Sequence, residues 1–298
     1  MKQRKIIQLL SWNLDAIIGH LPDIAKQGFN AIQISPIQGT KTDENIWYWL
    51  YQNTNLKIGN PQIGTRKHLK HLCQSAKKHG IEVYADVLFH NVASNLTDED
   101  VHPKVEPELL MYVKDNIPKC EDYEDRYQTT HYRVGLPIVD YEDEGYQLLC
   151  RKLLWDLVDC GVSGFRIDMA KHFALPEEGC NFFPNVFGEF QDEGLFIYGE
   201  ILDSVVGVLD VYAKHMHVLT NMTITDKKKL VKFPLESHDT YHTWSTTKDL
   251  HPHSIIHEYG KLVNEGVHVV FFARPMEDPA GLSELWKWKE IAMINHSN

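Results

Sequence analysis

The stretch Gly164-Phe165-Arg166-Ile167-Asp168-Met169-Ala170-Lys171-His172 begins as an apolar strand and breaks into charge. Arg166 and Asp168 stand two apart, so on a strand they share a face. An arginine beside a carboxylate keeps it ionised, and an ionised carboxylate at the mouth of a buried strand is what a nucleophile needs. Alone, the pair is explained equally well as a structural ion pair. The surrounding chain shifts that balance. Tyr198-Gly199-Glu200 and Glu236-Ser237-His238-Asp239 end two other apolar segments in acid, and Asp86, His90 and Asn91 end a third. One carboxylate that attacks a sugar carbon, with a second that protonates the leaving oxygen, is the chemistry of glycoside hydrolysis. Trp47, Tyr48, Trp49 and Tyr51 crowd one polar loop. Aromatic faces there suit sugar rings; a buried aromatic plug is the plainer alternative.

The elements that must position these residues follow from periodicity. Strands are expected at 5–12, 29–36, 81–89, 164–168, 194–201, 216–221, 230–236 and 266–272. Helices are expected at 15–27, with Pro22 near its start, at 142–159, 255–265 and 284–294. Another follows Thr65, whose hydroxyl suits an N-cap, with Leu69, Leu72, Cys73 and Ala76 on one face. Alternating strands and helices predict an α/β fold, a (β/α)8 TIM barrel, whose chemistry sits at the C-terminal strand ends. Asp168, Glu200 and Asp239 then reach one rim from three strands. Residues 38–64 are expected to be a long polar and aromatic loop. Residues 1–90 and 138–298 form the expected catalytic barrel, with 91–137 a small irregular inserted domain after strand three. No C-terminal β-sandwich domain is expected after the barrel.

The 298 residues carry 30 Lys and Arg against 41 Asp and Glu, a net charge of −11. That balance argues against nucleic acid and anionic membranes as partners and fits a neutral substrate. Residues 6–10 are too short for a signal-peptide core, and no apolar run is long enough to span a bilayer. Cys73, Cys120, Cys150, Cys160 and Cys180 are odd in number and form no CxxC pair. Free thiols in a cytoplasmic, reducing compartment are expected, with no zinc site. The pairs His215/His217 and His251/His253 lack a carboxylate set at ligand spacing, so ordinary core or surface histidines are expected over a metal site. His238-Asp239 has no Gly-x-Ser-x-Gly elbow beside it, which sets aside a serine triad.

Taken in order, these motifs resemble the α-amylase family of glycoside hydrolases, the retaining clan acting on α-glucans, in its bacterial branch. The resemblance rests on Gly164 to His172, Tyr198 to Leu202, Glu236 to Tyr241, the loop from Trp47 to Gln52 with Ile58-Gly59-Asn60 and Ile63-Gly64-Thr65, and Phe271 to Pro275. It implies Asp168 as nucleophile, Glu200 as general acid and base, and Asp239 as the acid that holds sugar hydroxyls. It implies that Arg166 keeps Asp168 ionised and that His238 binds hydroxyls. Tyr51 stacks under the sugar with Gln52 near it, Trp47 and Tyr48 contact the non-reducing side, and Lys171 and His172 face the leaving side. Asp86 supports Arg166.

The pattern departs from the family in the first motif, which runs His90-Asn91 where the family has asparagine then histidine. The family histidine binds sugar and the asparagine helps hold calcium, so both residues remain candidates for the sugar site. Ile138 stands where the family has a calcium-binding aspartate. Calcium needs several hard oxygen ligands, so no metal and no cofactor are expected. The implied partner is an α-glucan or maltooligosaccharide. The competing expectations are a transglycosylase using the same intermediate, a non-catalytic barrel binding glucan or protein, and an unrelated barrel enzyme.

Overall fold

The computed structural model describes residues 2–41, 46–202, 207–243 and 250–297. In chain order the strands are β1 (Lys5–Leu9), β2 (Ala31–Ile34), β3 (Gln38–Thr40), β4 (Asn53–Ile58), β5 (Glu82–Val87), β6 (Gly164–Ile167), β7 (Phe196–Glu200), β8 (His217–Leu219), β9 (Leu230–Lys232) and β10 (His268–Phe272). All but β3 and β4 pair in parallel and close into a barrel ordered β1-β10-β9-β8-β7-β6-β5-β2. The helices are α1 (Leu14–Lys26), α2 (Arg66–Lys78), α3 (Pro107–Leu110), α4 (Arg126–His131), α5 (Glu144–Cys160), α6 (Phe182–Asp192), α7 (Val208–His215), α8 (His238–Thr243), α9 (Pro252–Asn264) and α10 (Lys289–His296). The (β/α)8 barrel read from the strand–helix alternation is the observed fold. Among the described residues no helix is long and apolar enough to cross a membrane.

Local chemistry explains the principal elements. The Thr65 hydroxyl accepts from the His68 amide, and His68 returns a bond to the Thr65 amide, a reciprocal cap that starts α2. Asp143 caps α5 through Gly145 and Tyr146, and Gly161 ends it at φ 107°. In the barrel wall Gly164 is a packing requirement. A Cβ there would lie 2.3 Å from the Phe196 carbonyl oxygen and 2.7 Å from the Tyr84 ring. Gly199 is equally confined, between Met216 and Ala170.

Several expectations change. Residues 38–64 hold the antiparallel β3/β4 pair, with the aromatic run Trp47–Tyr51 wound as one 3-10 turn at its tip. Pro22 sits inside α1, where Leu21 and Ile24 are buried on the core face; that packing offsets the lost helix bond. The crossover from β8 to β9 contains one 3-10 turn, Lys227–Lys229, and among the described residues no α-helix. Strand β9 stops at Lys232, so Glu236 lies in a loop and His238 opens α8. Residues 91–137 carry α3 and α4, and the Tyr141 hydroxyl donates to the Thr130 carbonyl beneath them.

Candidate active site

Strand register lines up the first shell of charge. Asp86 on β5 lies opposite Arg166 on β6, which lies opposite Tyr198 on β7. Arg166 is 1% exposed, and its guanidinium is the hub. Nη1 donates to Asp86 at 2.8 and 3.0 Å and to Asp168 at 2.7 Å, while Nη2 pairs with Glu200. Asp86 also accepts from the Tyr51 hydroxyl at 3.0 Å. Glu200 accepts from the Met169 amide at 3.4 Å. That amide points inward because Met169 turns left-handed, φ 52°, directly after the strand. Three carboxylates therefore share one cation. Burial pushes Asp86 up to about 6 and pushes Asp168 up as well, with Arg166 pulling both back down. Burial likewise raises the Tyr51 hydroxyl, which stays a donor.

Asp239 arrives at the same cluster on the first turn of α8, with its side chain 43% exposed. His238 beside it is buried, and burial drives its imidazole down to about 3, so the ring is neutral. The Gln8 side-chain amide contacts Nδ1 at 3.0 Å. A side-chain NH2 only donates, so Nδ1 accepts and Nε2 carries the hydrogen. That N–H faces Asp239 at 3.5 Å. Tyr51 stacks on His238 at 5.3 Å between centroids, the Arg166 guanidinium lies 5.8 Å from the Tyr51 ring, and Trp47 meets His238 edge-on. One face of Trp47 is covered by His242 at 4.5 Å. Tyr48 is exposed and packs edge-on against Trp47.

A second buried arginine, absent from the candidate residues above, adjoins this loop. Arg274 follows β10 and grips Glu236 through two bonds of 3.0 and 2.9 Å. Asp278 approaches the same guanidinium at 3.5 Å and accepts from the Tyr241 hydroxyl at 2.6 Å. The signal lay in Glu236 opening the Glu-Ser-His-Asp motif and in Arg274 shortly after the apolar run Val269-Val270-Phe271-Phe272.

Comparison with known proteins fits this geometry. The family model described as "Alpha amylase, catalytic domain" matches residues 11–248. The chain belongs to the α-amylase family. It is 31% identical over 331 aligned positions to an α-amylase of Clostridium acetobutylicum, covering 99% of this chain and 43% of that one. It is 32% identical over 244 positions to an α-amylase of Butyrivibrio fibrisolvens, covering 71% of this chain and 25% of that one. The chain thus spans less than half the length of these relatives. Its fold is similar to that of an α-amylase from Malbranchea cinnamomea, with TM-score 0.74, 19% identity, and 98% and 76% of the two chains covered. An α-amylase from Geobacillus thermoleovorans in complex with acarbose gives TM-score 0.75 at 17% identity, covering 98% and 78%.

Against the α-amylase pattern, three expected sugar contacts, His90, His172 and Gln52, are turned elsewhere. His90 is buried among His172, Phe173 and Tyr141, with ring centroids 5.3–6.0 Å away. Asn91 is the one on the Met169 side, with its amide 3.4 Å from the thioether sulfur. His172 is buried with Nδ1 on the Thr129 carbonyl at 2.8 Å, and burial lowers its pKa to about 4. Gln52 is buried and accepts from the Ser94 amide at 3.2 Å, which ties the aromatic loop to the insert. Lys171 stays near the rim, donating to the Leu202 carbonyl at 2.9 Å.

The residues at the family's calcium position do not fit the ion. Asn91 pairs in a β-bridge with buried Ile138, and its side-chain oxygen has no hydrogen-bond partner. His90, on the other side, contributes nitrogen. Among the described residues no group of three or more His, Cys, Asp or Glu could hold a metal. One amide oxygen is far short of the six to eight oxygens calcium takes.

Proposed function

We propose that this chain is the barrel of a retaining glycoside hydrolase that cleaves α-1,4-glucosidic bonds in starch-like glucans or maltooligosaccharides. The observation that supports it is Arg166 holding Asp168 and Glu200 on its two terminal nitrogens. Carboxyls on adjacent nitrogens of one guanidinium favour the close spacing, about 5–5.5 Å, that permits direct attack, over the ~6.5–9.5 Å that leaves room for a water.

In this reading Asp168 attacks the anomeric carbon while Glu200 gives its proton to the leaving oxygen. A glycosyl ester forms on Asp168 and the glycosidic bond breaks. Glu200 then takes a proton from water, whose oxygen displaces Asp168. Arg166 opposes the upward push of burial on Asp168, and the Nε2–H of His238 with Asp239 binds ring hydroxyls. Tyr51 lies under the sugar. A second sugar in place of water would give transglycosylation, which the product mixture distinguishes. No calcium takes part at the Asn91–Ile138 position. The cytoplasm is the proposed compartment, supported by five buried, free cysteines.

The test is reducing-end release from soluble starch and maltoheptaose. Asp168→Asn should lower kcat by about 10⁴-fold or more, the scale on which loss of a nucleophile falls. Activity should survive EDTA. An inactive native chain, or an active Asp168→Asn variant, would overturn the reading.

A further inference from the structure

The loop that carries His238 and Asp239 caps its own helix, with the Ser237 amide donating to the Thr240 hydroxyl at 2.9 Å, but its approach from the barrel has little regular structure. It leaves β9 after only three paired residues, passes Leu235 at φ 69°, and starts a helix of six residues. A branched side chain in left-handed backbone costs energy and persists only where the surroundings impose it. The surroundings here are the Arg274 network. Arg274 is 1% exposed and holds Glu236 bidentately, two residues before His238. Asp278 accepts from the Tyr241 hydroxyl at 2.6 Å and from the Leu282 amide at 2.8 Å. The Arg274 guanidinium also lies 5.2 Å from the Tyr241 ring centroid. The loop is thus gripped at both ends, before His238 and after Asp239. Its anchor is the turn after β10, itself fixed to β1 by the bond from the Ala273 amide to the Gln8 carbonyl. Gln8 is also the residue that orients His238.

We infer that Arg274, with Glu236 and Asp278, is a positioning group for the His238–Asp239 pair. It fixes where the Nε2–H and the carboxylate meet the sugar, and touches no substrate itself. The inference rests on the hydrolase reading above. Planar bidentate geometry suits this task, since two parallel bonds fix direction as well as distance.

The experiment is a double-mutant cycle between Glu236→Gln and Asp239→Asn, read as kcat/KM on maltoheptaose, with thermal midpoints recorded for all four proteins. Glu236→Gln retains shape and leaves no buried bare charge on the loop, so it is the variant that folds. Positioning predicts that Glu236→Gln lowers kcat/KM about tenfold in the native background and less than twofold when Asp239 is already Asn. The thermal midpoint should fall equally in both. Equal factors in both backgrounds, or a change confined to the thermal midpoint, would overturn the inference. Should the native chain hydrolyse nothing, the hydrolase reading fails by itself. The same cycle read as maltoheptaose affinity by calorimetry then decides the positioning role, with equal losses in both backgrounds overturning it.

Discussion

Two buried arginines organise the C-terminal rim, and they differ in how their charge is met. Around Arg274, Glu236 uses both oxygens on the guanidinium, and Asp278 has the Tyr241 hydroxyl and the Leu282 amide as further donors. Around Arg166 there are three acids to one cation. Asp86 has Tyr51 to help it and Glu200 has the Met169 amide. Among the described residues the Asp168 carboxylate meets no donor except Arg166, and its side chain is 10% exposed. A carboxylate satisfied on every side is a strut. One whose remaining lone pairs meet no other donor is free to act on a substrate, which is the nucleophile's place in the proposed reaction. The surplus of acid also explains how one group in the cluster can carry a proton near neutral pH, because three close carboxylates disfavour full ionisation.

The largest effects should come from removing the two cations. Arg166→Met should lower kcat/KM by about 10³-fold or more, since it removes the charge that faces both catalytic carboxylates. Arg274→Met should act first on stability. Leaving Glu236 buried without its bidentate partner, and Asp278 without its nearby cation, costs about 3–5 kcal/mol, measurable by urea unfolding. The contrast breaks if Arg274→Met is as stable as native and loses activity as steeply as Arg166→Met.

Acid sharpens the comparison, because buried groups across the barrel titrate in opposite senses. Burial holds His172 and His268 near 4 and His217 and His238 near 3, whereas the unfolded chain takes protons near 6.5. The stability these neutral rings support is full above 6.5 and lost as pH falls toward 4, by up to about 1.4 kcal/mol per pH unit for each ring. Asp86, raised to about 6, works the other way, binding its proton first in the folded state and losing that contribution as pH rises through 6. Burial also lowers His90 and raises Asp168, Glu236 and Asp239, so five rings oppose four carboxyls, and the unfolding midpoint should drop between pH 6.5 and 5. A midpoint that is flat or rising over that range would remove the neutral-histidine description.

The smallest effect tests the contact between aromatic loop and cluster. Tyr51→Phe removes the bond to Asp86 and leaves the ring stacked on His238. A loss of about 1 kcal/mol, or some fivefold in kcat/KM, is expected. A loss as large as that of Arg166→Met would mean the hydroxyl does more than support Asp86.

Much of the site was legible because its residues sit at fixed distances along single strands. Arg166 and Asp168 share a face by strand parity, and Glu200 ends its own strand. The eight strands were legible from alternation with helical stripes. What escaped was structure built from short or irregular pieces. The β3/β4 hairpin has only three residues on one side and a shifted register, too little pattern to separate from loop. Helix α6 carries Phe182, Phe183, Val186, Phe187 and Phe190 at helical spacing, a stripe that motif-based reading passes over. The facing of His90 and Asn91 was beyond reach, since both lie past the last paired residue of β5 and parity no longer binds.

The amino-acid sequence by itself determined which residues carry charge, that Arg166 and Asp168 share a strand face, and the alternation that selects a (β/α)8 barrel. These follow from local rules, the two-residue strand period and the helical stripe, which need no partner to operate. Only the tertiary structure decided that Asp86, Asp168 and Glu200 converge on one guanidinium, that Gln8 sets the tautomer of His238, and that Arg274 braces the loop before it. Apart from the Arg166–Asp168 pair, which lies along one segment, each of those contacts joins residues from different strands or the loops that follow them, and barrel closure brings them within hydrogen-bond reach.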